Sequence, residues 1–155
     1  MNNLDDLYRE IILDHYRSPR NRGELESPSA RVEGFNPLCG DEIVIYLRVE
    51  DGVISDVKMT GHGCSISQAS SSMMSTAIKG KTLEQAHRVI DRFKEMMTLK
   101  ERSLDEAEEP SEPDLRSLGE LAALAGVVKF PVRIKCATLS WNTLAQALDE
   151  VESAP

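Results

Sequence analysis

The sequence predicts an α+β fold in which a small antiparallel sheet of about three strands packs against helices. Two runs of alternating apolar residues, at 43–50 and 53–59, are joined by Asp51-Gly52, a dipeptide typical of a two-residue β-hairpin. Beyond Ser65 the apolar residues instead recur every three or four positions, which is the period of a helix. Because these strands precede the main helices rather than alternating with them, α+β is favoured over α/β.

The sheet is predicted from residues that alternate along each run. Residues 29–35 are expected to add a third strand. The helix before the sheet covers residues 4–16 and ends before Pro19, and residues 19–28 form a loop. The residues expected on the inner stripe of this helix are Leu4, Leu7, Ile11 and His15.

The two strand runs each have a set of positions expected to share one face of the sheet. These positions are Ile43, Ile45, Leu47 and Val49 in the first run, and Val53, Ser55, Val57 and Met59 in the second.

Four helices are predicted after the sheet. Ser65-Ile-Ser-Gln68 and Thr82-Leu-Glu-Gln85 have capping-box spacing, so helices are expected from 65 to 79 and from 82 to 99. The acidic segment 100–116 contains two prolines and is expected to be an exposed loop or insertion. Helix is expected again over 115–124, with Gly126 as its stop, and over 131–151. The apolar stripes are Leu83, Ala86, Ile90, Phe93 and Met97, then Cys136, Leu139, Thr143 and Ala147.

The composition indicates one folded domain over residues 1–155. A hydrophobic fraction of 41% excludes disorder of the whole chain, and the net charge of −8 disfavours nucleic-acid binding. No apolar run approaches the ~18 residues that a membrane span needs. The N-terminus has no basic region followed by an apolar stretch, so no signal peptide is predicted and a cytoplasmic location is expected.

Three cysteines, Cys39, Cys64 and Cys136, are the candidates for chemistry. An odd number argues against a disulfide framework, and metal binding or thiol chemistry competes with simple core packing. Glycines flank Cys39 and Cys64, as expected where a chain bends sharply around a site. Cys64 also directly precedes a predicted helix, whose N-terminal amides favour a thiolate.

Asp41 is the natural fourth group beside the cysteines. Three thiolates and one carboxylate suit tetrahedral zinc, and oxygen is a harder ligand than sulfur, so this set indicates a more exchangeable site than four cysteines would form. The cysteine spacing matches no standard zinc-finger pattern.

Other polar residues near the cysteines are ambiguous. His62 is an alternative ligand, although a loop histidine is the favoured interpretation. Arg133 and Lys135 are either solvated cations or groups that stabilise a thiolate or an anionic sulfur species. The run Ser70-Ser-Ser-Met-Met-Ser75 is interpreted as close helix packing, because no nucleophile turn and no base accompany it.

Three segments carry a family resemblance. At Asn36-Pro-Leu-Cys-Gly-Asp41, Gly61-His-Gly-Cys-Ser65 and Arg133-Ile-Lys-Cys-Ala-Thr-Leu-Ser-Trp141 the chain resembles the U-type iron–sulfur cluster assembly proteins, the family of IscU, the N-terminal part of NifU, and SufU. The resemblance covers nearly the whole chain and implies the IscU/SufU-like α+β fold. Lys135 stands where the IscU scaffold branch has a histidine, and the acidic segment 100–116 is an insertion. Both features resemble the SufU branch.

The resemblance implies a zinc-dependent sulfur acceptor rather than a stand-alone enzyme. Zinc would be held by Cys39, Asp41, Cys64 and Cys136, and a pyridoxal-phosphate cysteine desulfurase of the SufS kind would deliver persulfide sulfur to Cys39. The downstream partner would be the iron–sulfur assembly machinery. Two alternatives stay open: a scaffold on which a labile [2Fe–2S] cluster is built, and a zinc-stabilised interaction domain without sulfur chemistry.

Overall fold

The computed structural model describes residues 3–37, 40–106 and 119–153. The chain order is one helix, a three-stranded sheet, two long helices, a 3₁₀ helix and a last long helix. The elements are α1 (Asn3–Arg17), β1 (Ala30–Asn36), β2 (Asp41–Glu50), β3 (Val53–His62), α2 (Ser65–Ile78), α3 (Leu83–Glu106), the 3₁₀ helix (Gly119–Lys129) and α4 (Pro131–Ser153). The predicted α+β class with three antiparallel strands is confirmed.

The sheet has the order β1-β2-β3, and both neighbouring pairs are antiparallel. Asp51 and Gly52 connect β2 to β3 with φ angles of 53° and 76°. Positive φ at both central residues is the requirement of the hairpin turn that matches the natural twist of the strands. The predicted turn and the predicted third strand are therefore both confirmed.

The predicted alternation in β3 is wrong near its start. Ile54 is fully buried while Ser55 is exposed, whereas Val57 and Met59 face the core as expected. The cause is a register shift: Arg48 pairs with Asp56 but the next residue, Val49, pairs with Ile54. Ser55 is thus an extra residue, a β-bulge that reverses which positions face inward.

The helices pack against the sheet and against one another through α4. Gly34 of β1 has no side chain because Thr143 occupies that space: a Cβ there would lie 2.0 Å from Thr143 Oγ1. Further along α4, the Trp141 ring stacks on Phe93 of α3 with ring centres 4.2 Å apart. The indole N–H of Trp141 donates to Ser70 Oγ in α2 at 3.0 Å. The serine-rich stretch of α2 is thus buried helix packing, as predicted.

His15 fixes α1 to two other elements. It is 2% exposed, its Nδ1 lies 2.7 Å from Ser72 Oγ in α2, and its Nε2 lies 2.8 Å from Glu120 Oε2 in the 3₁₀ helix. Its position on the inner stripe of α1 was predicted, but these two polar partners were not, because neither is near it in sequence.

Two predicted helix boundaries differ from the structure. The capping box of α3 is confirmed, with Thr82 and Gln85 exchanging bonds of 3.0 and 3.1 Å. However, α3 continues to Glu106, so the predicted loop from residue 100 is wrong over 100–106; these residues are mostly good helix formers without Gly or Pro. Residues 107–118 lie outside the described part of the chain. Gly126 does not stop a helix but lies within the 3₁₀ helix.

None of the described helices combines the length and the apolar character that crossing a membrane requires.

We predict that Phe93→Ala lowers the free energy of unfolding by about 3–5 kcal/mol, because it removes a fully buried ring stacked on Trp141. Urea denaturation followed by tryptophan fluorescence measures this loss. The matched control is Phe35→Ala, since Phe35 is 58% exposed and its loss is expected to change stability by no more than about 0.5 kcal/mol. Equal effects of the two changes would contradict this assignment of the core.

Candidate metal centre

The pairing of β2 with β3 brings the start of one strand beside the end of the other. Glu42 pairs with His62, so Asp41 lies next to the junction between β3 and α2. Asp41 is fully buried there, and its Oδ1 accepts a hydrogen bond from the backbone N–H of Cys64 at 2.9 Å. This contact joins two of the residues predicted to form the site.

Cys64 is the N-cap of α2. Its Sγ accepts a hydrogen bond from the backbone N–H of Ser67 at 3.4 Å and lies 3.8 Å from Asp41 Oδ2. The predicted cap was Ser65, one residue later, so that prediction is wrong. The cap position of Cys64 supports the predicted thiolate chemistry, because a sulfur at the N-cap interacts directly with the helix amides that stabilise a thiolate.

Cys136 reaches the same place from α4. It is buried, and its Sγ lies 3.8 Å from the carbonyl oxygen of Val132 one turn earlier. One ligand atom each from Asp41, Cys64 and Cys136 all lie within 4.8 Å of one another. The structure therefore brings together three of the four residues in the predicted ligand set. Cys39, the fourth, lies outside the described residues.

Glycine makes the close approach to Asp41 feasible. A Cβ on Gly63 would lie 2.5 Å from Asp41 Oδ1, and a Cβ on Gly61, which has a φ of 136°, would lie 2.2 Å from the carbonyl oxygen of Glu42. Gly40 has a φ of 70°, and its N–H donates to the carbonyl oxygen of Asn36 at 2.8 Å. The glycines that suggested a site in the sequence thus have a steric reason in the structure.

Arg133 lies beside both thiols. The pKa of Arg133 is raised, first by the negative charge of Cys64, then by a hydrogen bond to the same thiol, with smaller contributions from Cys136. It lies three residues before Cys136 on α4, a spacing that places two side chains on the same helix face. Of the two cations that the sequence left undecided, Arg133 is therefore the one beside the thiols.

The two other auxiliary candidates are placed differently. Lys135 is exposed on α4. His62 is also exposed, and its Nε2 lies 3.1 Å from Glu42 Oε2. Within the described residues, the cluster of potential metal ligands consists of Asp41, Cys64 and Cys136, without His62.

These three residues fit a tetrahedral metal ion. With metal–sulfur bonds of ~2.3 Å, two sulfur ligands of a tetrahedral ion lie about 3.8 Å apart. Because the two sulfur atoms lie no more than 4.8 Å apart, binding such an ion requires at most about 1 Å of closure between them. Thiolates select zinc or iron–sulfur chemistry over magnesium or calcium, and the single carboxylate is compatible with zinc.

An apolar groove beside the centre had no counterpart in the sequence predictions. Its volume is about 1140 Å³, and it is bordered by Arg133 and by Ser65, the neighbour of Cys64. Phe130 and Val132, 61% and 66% exposed, lie at its edge. The apolar residues just before Arg133 were the available signal, but sequence alone does not tell exposed apolar residues from core ones. The other described lining residues are Tyr8, Arg9, Ile12, Leu13, Ile66, Ala123, Ala125, Gly126, Val127 and Pro131.

The fold and the site define an α+β domain with two thiols and a carboxylate positioned to hold a metal ion at one edge of its sheet. The family model of the NifU-like N terminal domain matches residues 7–137, and the chain belongs to this family. The predicted resemblance is therefore confirmed.

Named relatives cover nearly the whole chain. It is 46% identical over 150 residues to the zinc-dependent sulfurtransferase SufU of Bacillus subtilis, which covers 97% of this chain and 95% of that protein. It is 40% identical over 154 residues to the iron–sulfur cluster assembly scaffold protein IscU of Streptococcus pyogenes, covering 99% and 90%. A crystal structure of a candidate SUF-system scaffold protein from Fervidobacterium islandicum superposes with a TM-score of 0.77 at 35% identity, covering 90% and 94%.

We predict that Gly63→Ala weakens zinc binding at least about tenfold, because the new methyl group would displace the Asp41 carboxylate. Titration of metal-free protein against a colorimetric zinc chelator measures the affinity. Gly126→Ala is the matched control, since a Cβ there meets no atom within 4 Å. Wild-type affinity in a correctly folded Gly63→Ala variant would show that Asp41 is not held against this glycine.

Proposed function

We propose that this chain accepts persulfide sulfur from a cysteine desulfurase on Cys39 and passes it into iron–sulfur cluster assembly. The proposal includes a zinc ion held by Cys39, Asp41, Cys64 and Cys136. The observation that carries it is the convergence of two thiols and one buried carboxylate within 4.8 Å. The similarity to a protein named zinc-dependent sulfurtransferase supports zinc and sulfur transfer together.

Connectivity supports Cys39 as the fourth ligand. Asn36 and Asp41 are paired across β1 and β2, so the residues between them form a short connection. Cys39 is two residues from Asp41, and covalent geometry keeps their Cα atoms within about 7 Å. A site completed by Cys39 would have three ligands on the core elements β2, α2 and α4, and one on this connection.

The proposed chemistry needs a thiolate that is available only when the donor is present. Zinc, when bound, keeps its cysteine ligands deprotonated near neutral pH. The Cys39 thiolate attacks the outer sulfur of the donor's persulfide; a new S–S bond forms on Cys39 while the donor's S–S bond breaks. The donor cysteine leaves as a thiolate, so charge and electrons balance without an added oxidant or reductant. Asp41, Cys64 and Cys136 keep the rest of the centre in place during this exchange.

The exposed apolar edge of the groove supports docking of a large partner. Phe130 and Val132 are more than half exposed and lie close to the centre in sequence and space. Exposed apolar residues that cluster at a site are typical of protein interfaces. A desulfurase that covers this edge would exclude water from the reacting sulfurs.

A scaffold function is the second candidate. The similarity to the IscU scaffold protein of Streptococcus pyogenes over 99% of this chain favours it. The same thiols suit a [2Fe–2S] cluster, for which cysteine is the usual ligand. Anaerobic reconstitution with iron and sulfide separates the two candidates: a stoichiometric cluster that passes to an apo-acceptor favours the scaffold, whereas zinc retention favours the sulfur acceptor.

We predict that Cys39→Ala abolishes sulfur acceptance. Zinc-loaded protein is incubated with its desulfurase and ³⁵S-cysteine, and protein-bound label is counted before and after reduction with a thiol. The variant is expected to fall to background although Cys64 and Cys136 remain. Label retained on either of these cysteines in the variant would mean that Cys39 is not the acceptor.

We predict that Phe130→Ser raises about tenfold the concentration of this protein at which the desulfurase transfers sulfur to it at half the maximal rate, because an exposed aromatic ring at an interface contributes strongly to binding. Zinc content is expected to stay unchanged. Tyr16→Ser is the control, since Tyr16 is 46% exposed but is not among the residues that line the groove. Equal concentrations for Phe130→Ser and wild type would place the docking surface elsewhere.

A further inference from the structure

A guanidinium from the connection between α1 and β1 bridges the two elements that meet at Cys64. Arg22 Nη2 donates to the carbonyl oxygen of Gly61 near the end of β3 at 2.7 Å, and its Nη1 donates to Gln68 Oε1 in α2 at 2.9 Å. Cys64 lies between these two acceptors in the sequence, and the backbone N–H of Gln68 donates to the Cys64 carbonyl oxygen at 3.0 Å. Arg22 therefore contacts both sides of the junction that presents Cys64.

The backbone that carries Arg22 is itself fixed to β3. The carbonyl oxygen of Asn21 accepts from the N–H of Met59 at 2.9 Å, and the N–H of Gly23 donates to the carbonyl oxygen of Met59 at 2.9 Å. The Asn21 side chain also donates to Ser75 Oγ in α2 at 3.0 Å. Because its backbone is held on both sides, the guanidinium of Arg22 reaches its two acceptors from a fixed point.

The two bonds of Arg22 fix a distance rather than fill a space. Arg22 is exposed, and both of its acceptors are uncharged, so neither core packing nor attraction between opposite charges explains the contact. A guanidinium that donates to groups on two elements sets their separation, because its fork of donors is rigid. The segment spanned in this way contains Gly63 and Cys64, both of which lie against Asp41.

We infer that Arg22 is a positioning residue for the metal centre. It holds the junction between β3 and α2 in place, so that the backbone N–H and the sulfur of Cys64 keep facing Asp41. Arg22 acts through Gly61 and Gln68, and its loss would loosen the junction without removing a ligand. The effect expected on the metal rests on the proposed function, which takes zinc as the bound ion.

The first measurement is hydrogen–deuterium exchange of the full-length, metal-free protein, resolved for residues 61–68. Arg22→Met keeps most of the side-chain length but removes its donors, and it is expected to speed exchange of these amides about tenfold. Arg48→Met is the matched control, since Arg48 Nη2 also donates to a backbone carbonyl of the α1–β1 connection, that of Glu26, at 2.9 Å. Arg48 pairs with Asp56, well before the junction along β3, so its loss is expected to leave residues 61–68 unchanged.

The second measurement is the rate at which zinc-loaded protein loses its ion to an excess of a colorimetric chelator. Arg22→Met is expected to lose zinc about tenfold faster than wild type, as is usual when a group that supports a metal ligand is removed. Arg22→Lys keeps the charge but lacks the fork that reaches both acceptors, so it is also expected to lose zinc faster than wild type. Arg48→Met is expected to match wild type.

The two measurements separate this inference from the proposed function. A wild-type protein that binds no zinc overturns the proposed function, and exchange in the metal-free protein then decides the inference by itself. Unchanged exchange at residues 61–68 in Arg22→Met overturns the inference. An equal rise in Arg48→Met also overturns it, as does a rise of the same size throughout α4, because the effect would then be one of global stability.

The zinc measurement can overturn the inference independently. If Arg22→Met loses zinc no faster than wild type, the junction does not control the centre. If Arg22→Lys loses zinc at the wild-type rate, charge alone is sufficient and the paired bonds are not the cause. Should circular dichroism show that Arg22→Met is unfolded, Arg22→Lys is compared with wild type in both measurements, and wild-type values in either one contradict the inference.

Discussion

The hydrogen bond from the Cys64 backbone N–H to the Asp41 carboxylate joins the sheet to α2 and defines the centre at the same time. A fully buried carboxylate is unfavourable unless hydrogen bonds or a cation compensate for its lost hydration. Here one oxygen accepts from the helix N-terminus while the other lies 3.8 Å from the Cys64 sulfur. Gly63 must lack a side chain for this approach, so the backbone at the end of β3 and the ligand geometry depend on one another.

The charge of the centre has to be offset by its surroundings. When ionised, two thiolates and a carboxylate within 4.8 Å would repel one another, and the fourth proposed ligand would add a further negative charge. The N-terminal amides of α2, the guanidinium of Arg133 and a bound ion all reduce this repulsion. A bound ion would therefore be one of several groups that offset this charge, and the oxygen ligand makes the set less thiolate-rich than a structural site of four cysteines.

Local patterns in the sequence were sufficient for part of this arrangement. Asp51-Gly52 and the Thr82–Gln85 capping box act within four residues, so their structures follow from chemistry that the sequence displays directly. The bulge at Ser55 could not be predicted in this way, because it arises from the pairing of β3 with β2. The cap at Cys64 was missed because sulfur is a weaker acceptor than a serine oxygen and is seldom expected at that position.

The same distinction separates Arg133 from Lys135. Both are cations shortly before Cys136, and only the rotational position of α4 about its axis distinguishes them. That position is set by the core, since the indole of Trp141 stacks on Phe93 and hydrogen-bonds to Ser70. With Trp141 inward, Cys136 turns toward the sheet edge and Arg133 follows it one turn earlier. The core thereby aims one ligand, Cys136, and one cation, Arg133, at the centre through contacts with residues that lie far from α4 in the sequence.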